Sequence, residues 1–340
     1  MKRRILFNAT FVLPLLFAAA AQADGVVNVY SARRQENIEP LFKAFTQKTG
    51  IEVKAIYAAN GLIEQMQQEG ASSPADLLLT TDVGRLIEAA GKGLAQPVTS
   101  AAVLDKIPPN LRDANNLWLG TTMRARVVYA SRERVKQDKI SYEELADPKW
   151  RGKVCIRAGD HPYNLGLLGA MIAHKGEAGA RKWLEGLKAN LVTKPSGDDR
   201  TQAQRILAGE CDIGIGNTFY MGLMQTNETE PQQKDWAAAS RIIFPSSPDF
   251  GTHVSVTGVL MAKHAPNAAN ALAMIEFLVS DEAQKQFAAE NFEYPINPAI
   301  KPSDLVAAWG TFTPDTLKMS EIGKYQELAR KLVAETGFNN

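Results

Sequence analysis

The chain has 340 residues and an almost balanced charge, with 38 lysines and arginines against 37 aspartates and glutamates. Hydrophobic residues make up 45% of the chain, as is usual for a globular protein. The balanced charge argues against a nucleic-acid partner and against a polybasic membrane-binding surface, because both need clustered positive charge. The length is sufficient for two domains.

The first 23 residues have the pattern of a secretory signal peptide. Three basic residues, Lys2 to Arg4, precede an apolar run from Phe11 to Ala20 that is too short to cross a membrane. Ala21 to Ala23 fits the small-x-small cleavage pattern, so the mature chain is predicted to begin at Asp24. No cysteine stands at that point for lipid attachment, and the mature net charge is about −2. We therefore expect a soluble periplasmic protein.

The N-terminal part of the mature chain alternates between strand-like and helix-like segments. Apolar runs predict the strands, and apolar residues three or four apart predict the helices. Gly50, Gly70 and Gly91 end the three helices, and Pro40 must lie in the first turn of its helix. This alternation is typical of a parallel sheet with helices on both faces. The strands are predicted over 26–30, 51–56 and 75–80, and the helices around Ile38 to Phe45, Leu62 to Met66 and Val83 to Ala90.

A second α/β series follows, and the chain then returns to the first. Strands are predicted at 127–129, 154–157 and 211–215, with a helix around 165–173. The segment 251–261 predicts a strand that runs back toward the first series. Two crossings between two α/β lobes, each a mostly parallel sheet flanked by helices, predict a hinged cleft. The predicted lobes are residues 24–123 with 252–295, and residues 124–251 with 296–340.

The stretch from Gly214 to Gly222 joins an apolar strand pattern to a helix start. Asn217 or Thr218 is the expected N-cap. The aromatic pair Phe219-Tyr220 follows at the C-terminal end of the strand, which is where ligands bind in α/β folds. Spacing alone leaves open the alternative that both rings belong to the core.

Two cysteines, Cys155 and Cys211, each open an apolar strand pattern. In an oxidising compartment, one interpretation is a disulfide bond between neighbouring strands. The alternative is a pair of buried thiols, because free cysteine is often buried.

Several segments, in order along the chain, carry a family likeness. With the signal peptide, they resemble the periplasmic ferric-ion-binding proteins, the solute-binding subunits of iron(III) ABC importers. The likeness covers essentially the whole mature chain and implies the two-lobed, transferrin-like scaffold of type II periplasmic binding proteins. It also implies a monomer without enzymatic activity that delivers iron to an inner-membrane ABC permease. The segments are VVNVYSAR at 26–33, Ser73 to Asp76, Arg124 to Val127, Tyr142 to Trp150, Asn217 to Gly222 and Gly251 to Val254.

The resemblance implies a set of metal ligands. In that family a Tyr-Tyr pair after a strand of the second lobe supplies phenolate oxygens to Fe(III). Here the pair is Phe219-Tyr220, so one of the two oxygens is missing. A further family tyrosine, in the loop after the first strand of the second lobe, matches Tyr163. Arg34 and Gln35 stand where members of the family place His or Tyr.

Accessory positions are implied as well. Asp82 matches a carboxylate that some members use, and Arg124 or Arg126 resembles the arginine that holds an anion. Arg34 is expected to help hold that anion. The alternatives are that Asp82 is a helix N-cap, since it precedes Val83, and that the arginines are solvated surface charges.

The chemistry of Fe(III) explains why these residue types suit it. This hard cation prefers anionic oxygen ligands, so Tyr163 and Tyr220 must ionise, and the metal charge drives that ionisation. Two tyrosinates leave one positive charge, which Asp82 or a small anion such as carbonate is expected to balance. Guanidinium groups hold such an anion through forked hydrogen bonds.

Other functions remain open from the sequence. The same fold could bind an anionic organic solute, such as a phosphorylated sugar or a ferric chelate, because arginines replace some phenols. An exported enzyme is disfavoured, since the sequence has no nucleophile–base pair, phosphate-cradling loop or zinc-type histidine spacing. A ligand-sensing partner of a membrane receptor has the same sequence features as a transport protein.

Overall fold

The computed structural model describes residues 25–247 and 249–340. The predicted signal peptide, residues 1–23, and the predicted mature start at Asp24 lie outside the described residues. The strands are β1 (Val26–Ser31), β2 (Glu52–Tyr57), β3 (Leu77–Thr80), β4 (Ala95–Gln96), β5 (Leu119–Ser131), β6 (Val154–Cys155), β7 (Ile213–Asn217), β8 (Ser240–Ile243), β9 (Val254–Ala262) and β10 (Tyr294–Pro295). The helices are α1 (Glu39–Thr49), α2 (Leu62–Glu69), α3 (Val83–Gly91), α4 (Ala101–Leu104), α5 (Pro162–Ala189), α6 (Asp199–Leu207), α7 (Thr218–Gln225), α8 (Gln232–Ala239), α9 (Ala268–Leu278), α10 (Asp281–Glu290), α11 (Asp304–Ala307), α12 (Met319–Lys324) and α13 (Gln326–Glu335).

The strands join into one hydrogen-bonded path in the order β2-β1-β3-β9-β5-β7-β6. β1 pairs in parallel with β2 and β3, as the alternation of strands and helices predicts. β9 lies antiparallel between β3 and β5, and β5 is antiparallel to β7 and β8. The α/β class is therefore confirmed. The pairing is mixed rather than mostly parallel, because the long strands β5 and β9 run in opposite directions through the centre.

Strand β5 connects the two halves of the molecule. Its first part, up to Ala125, pairs with β9, and its second part, from Arg126 to Ala130, pairs with β7. The chain returns at His253, whose carbonyl accepts a hydrogen bond from the Arg126 N–H at 2.9 Å. The Tyr142 hydroxyl bridges this crossing, since it donates to the Arg126 carbonyl at 2.5 Å and accepts from the His253 N–H at 3.1 Å. The two predicted crossings are thus neighbours in space.

Local sequence signals position the first helices as predicted. Pro40 lies in the first turn of α1, where its missing N–H breaks no helical hydrogen bond. Gly50 ends the helix with a φ of 77°, which glycine adopts without a Cβ clash. Asp82 caps α3 by accepting a hydrogen bond from the Gly84 N–H at 2.9 Å. These residues determine where α1 begins and ends and where α3 begins.

Buried apolar side chains form one cluster around β1, β3 and β9 and two further clusters on opposite faces of the β5–β7 pair. Met319 and Ile322, in the C-terminal segment, belong to the first cluster, whereas Leu332 and Phe338 belong to the second. The C-terminal segment therefore contacts both halves. Within the described residues, no helix has both the length and the apolar character needed to cross a membrane.

Cys155 and Cys211 form a disulfide bond in the structure, with their Cα atoms 6.0 Å apart. Cys155 ends β6, and Cys211 lies just before β7, the strand that pairs in parallel with β6. The bond joins residues 56 positions apart in the sequence, so it constrains a long segment of the second half. The alternative of two buried thiols does not describe this structure.

Candidate functional site

A cavity of about 150 Å³ lies where the loop after β1, strand β5 and the N-terminal turns of α5 and α7 meet. It brings together five residues that the sequence analysis singled out: Arg34, Arg124, Tyr163, Phe219 and Tyr220. A larger groove of about 390 Å³ between α1 and β2 includes none of them. The other residues that line the cavity are Arg33, Asn37, Thr81, Arg200, Leu223 and Glu293.

Tyr163 lies in the first turn of α5. The expectation that it occupies a loop is wrong, because Pro162 begins the helix, and the Tyr163 residue is only 8% exposed. Proline suits the first helical position because its missing N–H would be unpaired there in any case. His161 caps the helix, since its Nδ1 accepts a hydrogen bond from the Tyr163 N–H at 3.2 Å. Burial and the Arg157 guanidinium lower the pKa of His161 to about 4, so the neutral ring can accept this bond.

Three guanidinium groups surround the Tyr163 ring. The distance from the guanidinium carbon to the ring centre is 5.7 Å for Arg124, 5.9 Å for Arg126 and 5.4 Å for Arg157. Each distance is within the range of a cation–π interaction. This much positive charge favours anionic groups in the cavity.

Phe219 and Tyr220 occupy the first turn of α7, directly after β7, as the sequence predicts. Both are half-buried and line the cavity, so neither is a fully buried core aromatic, although Phe219 also packs against an apolar cluster. Their ring centres are 4.0 Å apart. Burial raises the pKa of Tyr220 above its ordinary value, and the Arg157 guanidinium opposes that rise. Tyr220 is therefore a neutral phenol on its own, and its ionisation requires a further positive charge such as a metal ion.

Arg34 and Arg124 both line the cavity but differ in their surroundings. The Arg34 side chain is 72% exposed, and its ion-pair partner Glu36 is 3.7 Å away. Arg124 is buried in the cavity wall and donates to the Thr257 hydroxyl at 2.7 Å and to the Thr81 carbonyl. Arg34 is thus free to rearrange around a ligand, whereas Arg124 is held in place.

Arg126 and Asp82 do not line the cavity. Arg126 is fully buried and pairs with Asp199 at 2.8 Å, so it is neither a surface charge nor a free anion-binding group. Asp82 is the N-cap of α3, as the alternative interpretation predicts. Burial raises the pKa of Asp82, and its hydrogen bond from Gly84 and the charge of Arg124 oppose that rise. These positions do not support the prediction that Asp82 and Arg126 are accessory ligands.

Glu293 is a cavity residue that the sequence analysis missed. It is buried and pairs with Arg33 at 3.0 Å and Arg124 at 3.6 Å, and it accepts a hydrogen bond from the Thr122 hydroxyl. Although burial raises the pKa of Glu293, the two arginines hold it below its ordinary value, so the group is a carboxylate. No local motif marks this pair, because Arg33 and Glu293 are 260 residues apart in the sequence.

The helix that carries Tyr220 touches the segment that carries Glu293. Gly222, in α7, faces the Phe292 side chain so closely that a Cβ on Gly222 would lie 2.3 Å from the Phe292 Cγ. Phe292 has a φ of 55°, which is uncommon for a residue with a side chain. Glycine at position 222 therefore permits the approach of α7 to this segment.

The cavity combines two phenols with four arginines and one carboxylate. Among the described residues, no three His, Cys, Asp or Glu side chains are grouped to hold a metal ion. Phenol oxygens are instead suited to a hard cation, which prefers oxygen ligands. The arginines are suited to an anion bound beside it.

Comparison with known proteins defines the family. A family model described as bacterial extracellular solute-binding protein matches residues 72–309. Iron uptake protein A2 of Synechocystis sp. is 40% identical over 99% of this chain and 99% of its own. The ferric iron-binding protein A of Mannheimia haemolytica, solved in an open conformation, is 46% identical with a TM-score of 0.88, covering 93% of this chain and 99% of that one. The Trichodesmium protein IdiA (FutA), solved with iron and citrate, is 36% identical with a TM-score of 0.88, covering 92% of this chain and 100% of that one.

These likenesses confirm the predicted class, the type II periplasmic-binding-protein fold. The family match spans more than half of the chain, and the Synechocystis relative spans nearly all of it. The chain belongs to the family of bacterial extracellular solute-binding proteins.

Proposed function

We propose that this protein is the periplasmic iron-binding subunit of an ABC importer, which captures Fe(III) in the cavity and delivers it to an inner-membrane permease. The observation that carries the proposal is the pair of phenols, Tyr163 and Tyr220, which two helix starts bring into one cavity. The relatives named for iron uptake or ferric binding support it. They are named as uptake or binding proteins, and the proposed role requires no catalytic group.

In this proposal iron is the cargo, and its positive charge drives the ionisation of the phenols that bind it. Because burial disfavours the ionised form of Tyr220, the phenol keeps its proton until a cation arrives. Binding of Fe(III) is therefore expected to release protons as the phenols become ligands. The arginines around the rings offset part of the cost of placing phenolates in the protein interior.

A small anion such as carbonate is the proposed companion of the metal. Two phenolates do not balance the charge of Fe(III), and Phe219 offers no oxygen at the first position of the family's Tyr-Tyr pair. Arg34 and Arg124 line the same cavity, and guanidinium groups bind planar oxyanions through paired hydrogen bonds. The Trichodesmium relative solved with iron and citrate is consistent with a metal accompanied by an anion.

We also propose that the molecule closes around its cargo as a monomer. Residues 24–123 with 252–295 form one lobe in this proposal, and residues 124–251 with 296–340 form the other, with Met319 and Ile322 reaching across to pack against the first lobe. The hinge in this proposal is the crossing of Arg126 and His253, where the chain passes between the two halves. Closure removes water from the cavity and strengthens the charge interactions there. Solution scattering should give a smaller radius for the iron-loaded form, and identical profiles would contradict closure.

Metal analysis and a visible spectrum of protein purified without chelators test the proposed function. The expected result is bound iron with a phenolate-to-iron charge-transfer band, which disappears on chelation and returns when Fe(III) is added. Zn(II) added to the stripped protein serves as a control, since it gives no such band. A protein that shows neither iron binding nor the band after Fe(III) addition would contradict the proposal.

A further inference from the structure

We propose that Arg157, held by Asp199, is a positioning residue that fixes Tyr163 and Tyr220 relative to each other. This inference rests on the proposed function, in which the two tyrosines bind iron. Arg157 is largely buried and does not line the cavity. It therefore acts through the two tyrosines rather than by touching the cargo.

Arg157 is linked to both tyrosines. Its guanidinium carbon is 5.4 Å from the centre of the Tyr163 ring. It reaches the helix that carries Tyr220 through Asp199, which also accepts a hydrogen bond from the Asn217 N–H just before α7. By contrast, Arg126 lies over Tyr163, and Arg200 lies over Tyr220. Arg157 thus links the Tyr163 ring to the start of the helix that carries Tyr220.

Asp199 determines where the Arg157 guanidinium lies. This carboxylate is fully buried, and its Oδ1 accepts a hydrogen bond from Arg157 Nη1 at 3.1 Å. Its Oδ2 accepts hydrogen bonds at 2.8 Å from Arg126 Nη1 and from the Asn217 N–H. Asn217 directly precedes α7, so the same carboxylate positions Arg157 and the helix that carries Tyr220. Such a buried cluster resists distortion, because the loss of one partner leaves a buried charge uncompensated.

The same cluster reaches the helix that carries Tyr163. Asn164 follows Tyr163, and its Oδ1 accepts a hydrogen bond from Arg126 Nη2 at 2.6 Å. The Asn164 amide also donates to the carbonyls of Arg157 and Ala158, each at 3.0 Å. The first turns of α5 and α7 are therefore anchored to one set of buried charges.

The cluster also sets the charge beside the phenols. Arg126 and Arg157 share the single carboxylate of Asp199, so this cluster carries one net positive charge, in addition to Arg124 beside Tyr163 and Arg200 beside Tyr220. A positive charge near a phenolate lowers the energy of its electrons and raises the energy needed to transfer one to iron. Removal of Arg157 should therefore move the charge-transfer band to longer wavelength, and Arg157→Lys, which keeps the charge, distinguishes this effect from a change in geometry alone.

The test compares wild-type full-length mature protein with Arg157→Gln and Arg157→Lys in titrations with Fe(III) at a fixed bicarbonate concentration. Arg157→Gln leaves Asp199 paired with Arg126, so the variant is expected to fold, as apo-protein thermal unfolding will show. We expect an affinity loss of about 10- to 100-fold and a longer-wavelength band for Arg157→Gln. Arg157→Lys keeps the charge without the planar fork, so the band should return toward its wild-type position more fully than the affinity does.

Arg134→Gln is the matched control. Arg134 pairs with Asp212 at 2.7 Å and donates to the carbonyls of Ile206 and Cys211, at the opposite end of β7 from Asn217. This variant should keep the wild-type band and affinity. Wild-type spectra and affinity in Arg157→Gln would overturn the positioning role, and so would equal losses in Arg157→Gln and Arg134→Gln. A wild-type protein without the band would instead overturn the proposed function and, with it, this role.

Discussion

The cavity has two walls that differ in chemistry and in how they are held. Tyr163, Phe219 and Tyr220 form the phenol wall, and every one of them lies in the first turn of a helix. Arg33, Arg34 and Glu293 belong to the arginine wall, where a buried ion pair lies beside an exposed side chain. The phenol wall is thus fixed before a ligand arrives, whereas Arg34 keeps the freedom to follow the shape of one.

The walls also differ in when they are charged. Arginines are always cationic, but Tyr220 ionises only when a cation supplies the driving force. The arginine wall therefore presents a positive field to an approaching anion, and the phenol wall becomes anionic only with the metal. We infer that the phenol wall decides whether iron binds, while the arginine wall decides how its charge is balanced.

Removal of a phenol oxygen is expected to have the largest effect on iron binding. Tyr220→Phe should lose most of the charge-transfer band and bind Fe(III) on the order of 100-fold more weakly, because a ligand is lost outright. Tyr163→Phe should show a similar or smaller loss. Spectral titration measures both, with Tyr57→Phe, a half-buried tyrosine on the edge strand β2, as the control. A wild-type band in Tyr220→Phe would exclude Tyr220 as a ligand.

Addition of a phenol to the phenol wall should strengthen iron binding and reduce its dependence on an anion held by the arginine wall. The Phe219 ring lines the cavity beside Tyr220, and its centre is 5.7 Å from the guanidinium carbon of Arg124. Phe219→Tyr therefore adds a phenol oxygen to a ring that lies near both Tyr220 and Arg124. We expect a stronger visible band, an affinity gain of about tenfold and a smaller response to bicarbonate. Titrations with and without bicarbonate measure this. Unchanged spectra in a folded variant would mean that position 219 does not face the metal.

A change in the arginine wall should alter anion dependence more than iron binding itself. Arg34→Ala is expected to reduce the gain in iron affinity on bicarbonate addition by about tenfold, because a charged hydrogen bond to the anion is lost. Bicarbonate, citrate and oxalate are added separately to protein titrated in bicarbonate-free buffer. Arg330→Ala, on the exposed side of α13, is the control. Binding that is equally anion-dependent in both variants would remove Arg34 from the anion site.

Loss of the disulfide bond should have the smallest effect on iron binding. The double variant Cys155→Ala with Cys211→Ala is expected to lower the free energy of unfolding by roughly 2–4 kcal/mol, because the unfolded chain gains freedom. Iron affinity should change little, since the bond lies at the end of β7 opposite to Asn217. Urea unfolding of the apo protein measures the loss. Two free thiols in non-reducing mass analysis of the exported protein would contradict the bond itself.

The sequence could predict those features whose causes lie within a few residues. The helix end at Gly50 and the cap at Asp82 depend on neighbours in the chain. The first is found as predicted, and the second agrees with the alternative interpretation of Asp82. The pairing of Arg33 with Glu293 depends on the fold, because these residues are 260 positions apart. The different surroundings of Arg124 and Arg126 also depend on the fold and could not be predicted from their neighbours in the chain. They lie two residues apart on one strand, yet one lines the cavity and the other is neutralised by Asp199.

Tyr163 shows a different limit. Its match to a family position identified it as a candidate ligand, and it does line the cavity. Its local structure was nevertheless mispredicted, because His161 and Pro162 resemble loop residues although they begin a long helix. Helix starts use the same residue types as turns, so composition alone does not separate the two.

The contact of Gly222 with Phe292 leaves no free space between α7 and the residue that precedes Glu293. A single methyl group at position 222 has no room, so Phe292 must shift, and its backbone already occupies an uncommon conformation. The displacement would pass along the chain to the adjacent Glu293 and from there to the Arg33 guanidinium. The position of the helix that carries Tyr220 and the position of the Arg33–Glu293 ion pair therefore depend on each other. One added methyl group at Gly222 would displace charged groups on the opposite side of the cavity.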